Sequence, residues 1–283
     1  PTGLRIDRQP ASSYQVASPM GIAAPLVRLV DVYGNHVSSH SEIVVTAAIS
    51  SNRNPATLAG TFSATISNGT ATFEDLQLLA TPGTNYFLTF TSTGAYSFTS
   101  ATSNAFQVAA GAPASLAVLT QPFGGPAGGQ LLSHPMIEIR DAAGNRVTTG
   151  TYSFQVQLNT GGAAGSLTTA QARFSSSQGQ LEFSGFTVSG TADINFSLTI
   201  TSDDVAITPA LSVTTNNFKL APGTAKRIQV MEDVVMSSGD LGGVVGDSLT
   251  NTVRVRLLDL QDNVATNDSF TKVIVELVSS DPN

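Results

Sequence analysis

Three histidines are the residues of this chain best suited to acid–base or metal chemistry. His36 and His40 are four residues apart, a spacing that suits metal ligands on a helix, but they follow a turn signal and we interpret them as solvated loop residues. His134 stands before Pro135 in a connecting segment and has no evident partner. Because histidines are few and cysteine is absent, a Ser-His-Asp or Cys-His site lacks parts. We therefore predict no catalytic residue, no cofactor and no enzyme activity.

Acidic side chains are the second group that could do chemistry, as ligands for a cation. Asp259, Asp262 and Asp268 surround one turn and offer carboxylate oxygens to calcium. Asp203 and Asp204 form another acidic pair between two predicted strands. The spacing matches no EF-hand loop, and capping of a turn by an Asp side chain explains the first group without a metal. We expect no bound metal, and the three residues of the turn are the calcium candidates.

Three Asn-x-Ser/Thr sequons are candidate sites of N-glycosylation, at Asn68, Asn195 and Asn267. Asn68 lies at a predicted hairpin, where a glycan can be accommodated. Asn195 precedes Phe196, and the alternation of a strand that points Phe196 inward should point Asn195 outward. The sequence therefore predicts surface positions for Asn68 and Asn195.

The composition favours a protein outside the cell or at the cell surface and argues against two kinds of partner. Charged residues make up 12% of the 283 residues, against a usual share of roughly 25%, so Ser, Thr, Asn and Gln must cover much of the surface. The net charge of −7 disfavours nucleic acid and anionic membranes. No apolar run approaches the roughly 20 residues of a membrane helix. Since Pro1 does not begin a signal peptide, we expect a removed signal or an excerpt of a longer chain.

A short motif occurs three times in the chain and contains His36, Asp259 and Asp262. The sequence DVYGNHV at 31–37 returns as DAAGNRV at 141–147 and, less completely, as DLQDNV at 259–264. An apolar run precedes each Asp, and an alternating run begins soon after each Asn. This pattern predicts a strand, a tight turn and a second strand, in which the Asp side chain bonds to the backbone beyond it and Gly-Asn tolerates the positive φ of a reversal.

The chain is organised as tandem repeats of about 110 residues. Leu4, Leu116 and Ile228 open the three copies at a constant offset of 112. Apolar residues alternate with polar ones along most predicted strands, and no stretch has convincing helical periodicity. We predict about seven short strands in each unit, arranged as an immunoglobulin-like β-sandwich. The expected domains are residues 1–110 and 111–222, with a partial sandwich at 223–283.

The third unit is predicted to contain only the first three strands of the sandwich. Its third strand is assigned to Val273, Val275 and Leu277, and the strands that should follow are missing. Because a half sandwich exposes its core and its sheet edges, two alternatives stay open. Either the polypeptide continues beyond Asn283, or strands of a neighbouring molecule complete the unit by β-augmentation.

The motifs of the repeat resemble those of a known group of proteins. A strand that ends in Asp-x-x-Gly-Asn-x-Val, a Gly turn into Ala-Thr-Phe-x-x-Leu, an aromatic-Leu strand and a closing Phe-x-Val resemble the bacterial immunoglobulin-like repeats of the invasin and intimin type, and also the filamin-type repeat. The resemblance covers residues 1 to 220 and part of 221–283. It implies an extracellular rod, adhesin stalk or surface fibre, rarely catalytic, that associates with itself in a linear assembly. No functional residue transfers, because the shared positions are turn and core positions.

The short connections between units support the rod, and one other function is kept beside it. The connections at 109–114 and 221–225 contain Gly and Pro, and their length restricts swivelling. The alternative is an adhesin segment that binds a receptor or glycan through loops, for which exposed aromatic side chains are the usual means. Tyr33, Tyr96 and Phe98 lie in predicted turns or loops, but we interpret them as packing residues.

Overall fold

The computed structural model describes residues 1–40, 42–50, 56–93, 98–169, 174–205, 207–232 and 254–276. Within these ranges the chain forms β-strands, turns and one 3-10 helix at Gly21–Ala23, which confirms the predicted all-β class. In the first unit the strands are β1 (Gly3–Arg8), β2 (Ser13–Gln15), β3 (Leu26–Val30), β4 (Val44–Ile49), β5 (Ala56–Ala59), β6 (Ser63–Thr65), β7 (Thr70–Thr72), β8 (Gln77–Ala80), β9 (Leu88–Thr93), β10 (Ala101–Thr102) and β11 (Gln107–Ala109).

The second and third units continue the same series of short strands. In the second unit they are β12 (Ser115–Thr120), β13 (Gly129–Gln130), β14 (Met136–Arg140), β15 (Ser153–Asn159), β16 (Gly165–Thr168), β17 (Phe174–Ser175), β18 (Gln180–Glu182), β19 (Thr187–Gly190), β20 (Asn195–Ser202), β21 (Ser212–Thr214) and β22 (Phe218–Lys219). In the third unit they are β23 (Arg227–Glu232) and β24 (Arg254–Leu258).

Equivalent segments pair in the same way in successive units. The first unit has a β1-β3-β7 sheet and a β10-β9-β4-β6 sheet, and the second has β12-β14-β18 and β17-β15-β20-β21. The opening pairs β1–β3, β12–β14 and β23–β24 are all antiparallel. Each contains a register shift at the same place, after Ile6, Val118 and Val230, which are 112 residues apart. A β-bulge that recurs at the same position of each repeat is a regular feature of the sheet edge and not a local defect.

Each of the first two units has its own hydrophobic core between its sheets. In the first unit Leu29 on β3 and Phe90 on β9 belong to one buried cluster, so the two sheets pack face to face. The second core contains three mutually packed rings, Phe174, Phe183 and Phe186, with centroids 4.9 to 5.5 Å apart. The alternation of buried and exposed residues along β3, β9 and β15 follows the period of two read from the sequence.

The first unit has more strands than the sequence predicts, and one of its strand pairs is parallel. Eleven strands are described in the first unit where about seven were predicted, because ladders break into pieces of two or three residues at bulges and turns. After Pro10, which has no N–H to donate, the opening segment leaves β3 and continues as β2. There it pairs in parallel with the closing strand β11.

The third unit is described as one antiparallel pair, β23 with β24. Val273 and Val275, assigned by the sequence to a third strand, lie in chain without ladder bonds and are exposed, while Leu277 is outside the described residues. A strand requires a neighbour for its backbone groups, and none pairs with this segment among residues 254–276. The domain limits at 110 and 222 stay predictions.

Replacement of Gly179 by Ala should destabilise the second unit more than replacement of Gly161. Both residues have positive φ, +75° and +62°, which costs an L-residue about 1–2 kcal/mol. A Cβ on Gly179 would also lie 2.1 Å from the carbonyl oxygen of Val147, whereas nothing lies within 4 Å at Gly161. Urea denaturation of the two variants measures the difference. Equal losses would mean that the backbone moves away from the Gly179 site at no cost.

Candidate functional site

The three copies of the motif fold into the same turn, which we name the Asp–Asn turn (residues 31–35, 141–145 and 259–263). In the first copy, Asp31 Oδ1 accepts hydrogen bonds from the backbone N–H of Tyr33 (2.9 Å) and Asn35 (2.8 Å). The other two copies repeat both bonds at 2.8 to 3.0 Å. The predicted bonding of the Asp side chain to its own turn is thereby confirmed.

The second carboxylate oxygen of the Asp binds the linker that precedes its unit. Asp141 Oδ2 accepts the backbone N–H of Gly111 at 3.0 Å, and Asp259 Oδ2 accepts that of Gly223 at 2.7 Å. Both aspartates are almost fully buried, with 2% and 1% of their surface exposed. One side chain therefore ties the turn to the linker at each junction.

The Asn at the end of the turn binds the unit before it. Asn145 Nδ2 donates to the carbonyl oxygen of Ala80 at 2.9 Å, and Asn263 Nδ2 donates to that of Gly190 at 3.1 Å. Ala80 and Gly190 are the last residues of β8 and β19, at equivalent positions in the two units. The junctions between the first and second units and between the second and third units are thus built in the same way.

One residue makes the two junctions unequal. Asn263 Oδ1 also accepts the backbone N–H of Ala192 at 2.7 Å. The residue that corresponds to Ala192 in the first unit is Pro82, at the repeat offset of 110, and proline has no N–H. The second junction therefore has a hydrogen bond that the first junction cannot form.

The linker glycines are required by the closeness of the backbone at each junction. A Cβ on Gly111 would lie 2.5 Å from the carbonyl oxygen of Val16, and one on Gly223 would lie 2.7 Å from that of Ala127. The linkers also accept hydrogen bonds directly from the preceding unit. The backbone N–H of Val16 donates to the carbonyl oxygen of Ala109, and that of Ala127 donates to the carbonyl oxygen of Ala221. Neither linker has room for a side chain at its glycine.

The electrostatics of the second junction keep the Asp259 carboxylate ionised. Burial of the carboxylate raises its pKa, but hydrogen bonds from the Asn263 side chain and from the backbone of Gly223, Asn263 and Gln261 outweigh burial. The pKa of Asp259 therefore lies below its ordinary value. Hydrogen bonds to an ionised acceptor contribute about 1.5–3 kcal/mol each, so the bonds to this carboxylate contribute strongly to the stability of the junction.

The calcium candidates each have a different partner in the structure. Asp259 bonds to the linker and its turn, Asp262 pairs with Arg227, and Asp268 bonds to the backbone and hydroxyl of Thr271. Over the residues with described positions, no group of three or more His, Asp or Glu side chains could hold a metal ion. Asp203 Oδ2 accepts from Gln155 at 3.0 Å. The expectation of no bound metal, with these three residues as the calcium candidates, stays a prediction.

The three sequon asparagines are exposed, as predicted for Asn68 and Asn195. Asn68 occupies a turn with φ of +48°, and Asn195 begins β20. The hydroxyl-bearing residue of the Asn195 sequon is Ser197, which is buried and bonded to Asn159. N-glycosylation at any of the three positions stays a prediction.

Two residues behave differently from their interpretation in the sequence. His134 has a partner after all, because its Nε2 accepts the backbone N–H of Phe186 at 3.1 Å and its ring packs edge-on against the Phe186 ring. A contact across 52 residues has no local signal. Tyr33 is not a packing residue, since 86% of its surface is exposed. Phe98 packs against the first core, and Tyr96 lies outside the described residues.

Sequence reasoning did not find the contacts of Asn145, Asn263 and the two linker glycines with other units. The only available signal was that Gly111 and Gly223 are 112 residues apart and sit at the same place in both linkers. Nothing next to the Asn residues in the sequence distinguishes a turn residue from one that reaches a neighbouring unit.

No protein-family model and no curated protein matches the chain. Among solved structures, the chain is similar to the Escherichia coli adhesin FdeC, with 17% identity, a TM-score of 0.31, and coverage of 93% of this chain and 75% of that one. It is also similar to protocadherin gammaB7 EC3-6, with 17% identity, a TM-score of 0.35 and coverage of 90% and 61%. A glycosyl hydrolase family 2 member from Bacteroides cellulosilyticus is 14% identical at a TM-score of 0.29, with coverage of 76% and 28%. At these values the similarities assign no function.

In the part of the chain with described coordinates, no helix has the length and apolar character needed to cross a membrane.

Replacement of Asn263 by Ala should weaken the second junction. The change removes the partner of Gly190 and Ala192, and we expect a loss of about 1–3 kcal/mol in the free energy that holds the third unit in place. Hydrogen exchange of the Gly223 amide and proteolysis of the linker measure this loss. Asn35→Ala is the matched control, because Asn35 is exposed and, over the described residues, its side chain bonds within its own turn. Equal responses of the two variants would contradict the role of Asn263 between units.

The second junction should loosen in acid. Because the pKa of Asp259 is lowered in the folded protein, its contribution to stability is fully present above the ordinary value of 3.8 and is lost as the pH falls through the folded pKa. Asp259→Asn cannot titrate, so the stability difference between wild type and variant should be largest near neutral pH and should shrink below about pH 4. Exchange protection of the Gly223 amide across this range is the measurement. A difference that stays constant with pH would show that the ionised form is not what stabilises the junction.

Proposed function

We propose that the chain is a non-catalytic extracellular structural protein, a rod of immunoglobulin-like units that builds a surface filament or fibre. The observation that carries this proposal is the Asp–Asn turn at each junction, which binds the linker and the preceding unit together. A chain that only tethered independent domains would not need this arrangement.

Each junction restricts rotation because three contacts act at different places. The Asp binds the linker glycine, the Asn binds the end of a strand in the preceding unit, and the linker backbone binds that unit directly. A short peptide without such bonds would leave the units free to swivel. When these contacts are present, rotation of one unit against the next breaks hydrogen bonds of buried groups. Each buried group that is left unpaired costs about 1–3 kcal/mol.

Location outside the cell and the absence of catalysis are supported by the composition and by the resemblance of the repeat. The low content of charged residues, with abundant Ser, Thr, Gly and Asn, fits a surface protein of the invasin or intimin type. Self-association into a linear assembly belongs to the same proposal. Within it, the calcium candidates and the sequons are accessory features that the rod does not require.

The third unit is the place where the rod connects to further strands. Ile228 and Val230 on β23 are 56% and 51% exposed, although their equivalents Leu116 and Val118 pack against the core of the second unit. The third unit is completed either by the continuation of a longer chain or by strands of a neighbouring subunit.

A second candidate function is the adhesin segment, and the exposed side chains of the first Asp–Asn turn favour it. Val32 and Tyr33 expose 74% and 86% of their surfaces at one end of the first unit. An exposed aromatic residue on a rigid turn is a common contact for a receptor or glycan. Binding to a glycan array or to cells that Tyr33→Ser abolishes would support this function over a purely structural one.

Small-angle X-ray scattering of the full chain tests the rod. We expect an elongated particle with a length of roughly 35 to 45 Å per unit and a narrow range of conformations, given strands of about 20 Å plus loops. Gly223→Ala should broaden that range, because its Cβ would meet the carbonyl oxygen of Ala127. Gly3→Ala is the control, since its Cβ would have nothing closer than 3.8 Å. A broad range for the unmodified chain would overturn the proposal.

A further inference from the structure

The first Asp–Asn turn has the same geometry as the other two but lacks their outside partners. Asp31 Oδ2 accepts a hydrogen bond from Asn35 Nδ2 at 3.1 Å. No linker glycine and no carbonyl of another unit bonds to either side chain over the described residues. Asn35 is exposed and Asp31 is half-buried, whereas Asp141 and Asp259 are buried.

We propose that the first Asp–Asn turn is a docking site for one further β-sandwich unit, joined ahead of residue 1 in the same polypeptide. The inference rests on the proposed rod and adds the partner of its first unit. The partner presents the end of a strand equivalent to β8 or β19, with a free carbonyl for Asn35 and a linker N–H for Asp31.

The two occupied turns define what that partner must offer. Each bonds to the carbonyl of the residue that ends an equivalent strand, Ala80 or Gly190, and to the N–H of a linker glycine. The linker glycine precedes its unit's first leucine, Leu116, by five residues at the first junction. The donor for Asp31 therefore belongs to a linker that enters the first unit in the same register.

The register of the repeat shows that such a linker is compatible with the amino end of the first unit. Pro113 corresponds to Pro1 and Leu116 corresponds to Leu4, both at an offset of 112. The backbone N–H of Thr2 bonds to the carbonyl of Val30, and that of Ala114 bonds to Arg140, so both entering segments lie beside the strand that leads into the Asp–Asn turn. The entering segment of the first unit thus already follows the path of a linker.

The exposed apolar residues of the turn fit the same partner. The position of Tyr33 is held by Gln261 in the third unit, where the side-chain amide lies 3.1 Å from the place of a Cβ on Gly128 of the preceding unit. Leu260 and Gln261 also line a cleft together with Ala127 and Gly128. In the first turn the docked unit would cover the larger side chain of Tyr33 at this position. This explains why an aromatic residue stands in a solvated turn.

A tandem chain tests the inference. Residues 1–112 are placed ahead of the full 283-residue chain, so that the added Gly111-Ala112 is followed by Pro1 in the repeat register. We expect the amide of the added Gly111 to be protected from hydrogen exchange like those of the original Gly111 and Gly223. Asn35→Ala in the tandem chain should reduce this protection by about tenfold, and should leave the original Gly111 amide unchanged.

Asn145→Ala in the same tandem chain is the internal comparison, because it acts on the original junction. If Asn145→Ala exposes its junction and Asn35→Ala changes nothing, the docking proposal is wrong and the rod stands. If neither variant changes the exchange protection of its junction, the rod proposal fails and the docking proposal fails with it. If the unmodified 283-residue chain dimerises and Asn35→Ala prevents this, the occupant is a second copy, which also overturns the assignment.

Discussion

The buried carboxylate of the Asp–Asn turn is the interaction on which the arrangement of the units depends. Its two oxygens have different tasks, since Oδ1 closes the turn and Oδ2 binds the linker glycine. A buried carboxylate is costly unless it is fully hydrogen-bonded, and this one is satisfied only when the linker is in place. The local turn and the junction between units are therefore stabilised by the same side chain.

This dependence explains the residues that surround the junction. The linker needs glycine, because its backbone passes against the carbonyl of Val16 or Ala127 with no room for a Cβ. The turn needs an amide side chain that can donate to a carbonyl and accept an N–H, which Asn263 does in full. Pro82 removes the second of these bonds at the first junction. The two junctions are alike in geometry and unequal in strength.

The third turn shows how much the motif tolerates. Asp262 stands where the other copies have glycine, and it adopts φ of +64°, close to the +81° and +82° of Gly34 and Gly144. Aspartate is among the few L-residues that enter this region at moderate cost, and Asp262 also pairs with Arg227. The turn and its contacts with the second unit are retained although the sequence of the motif has diverged.

The sequence by itself determined the all-β class, the repeat of about 110 residues and the position of each Asp–Asn turn. These features depend on neighbouring residues, because alternation of period two and turn chemistry act within a few positions. Only the tertiary structure decided the partners of the turn. Gly111 is 30 residues from Asp141, and Ala80 is 65 residues from Asn145, so their hydrogen bonds exist only after two units have folded and packed. The hydrogen bond of His134 was equally unpredictable, because its partner Phe186 is 52 residues away. The exposure of Tyr33 also depends on how the units fold and pack.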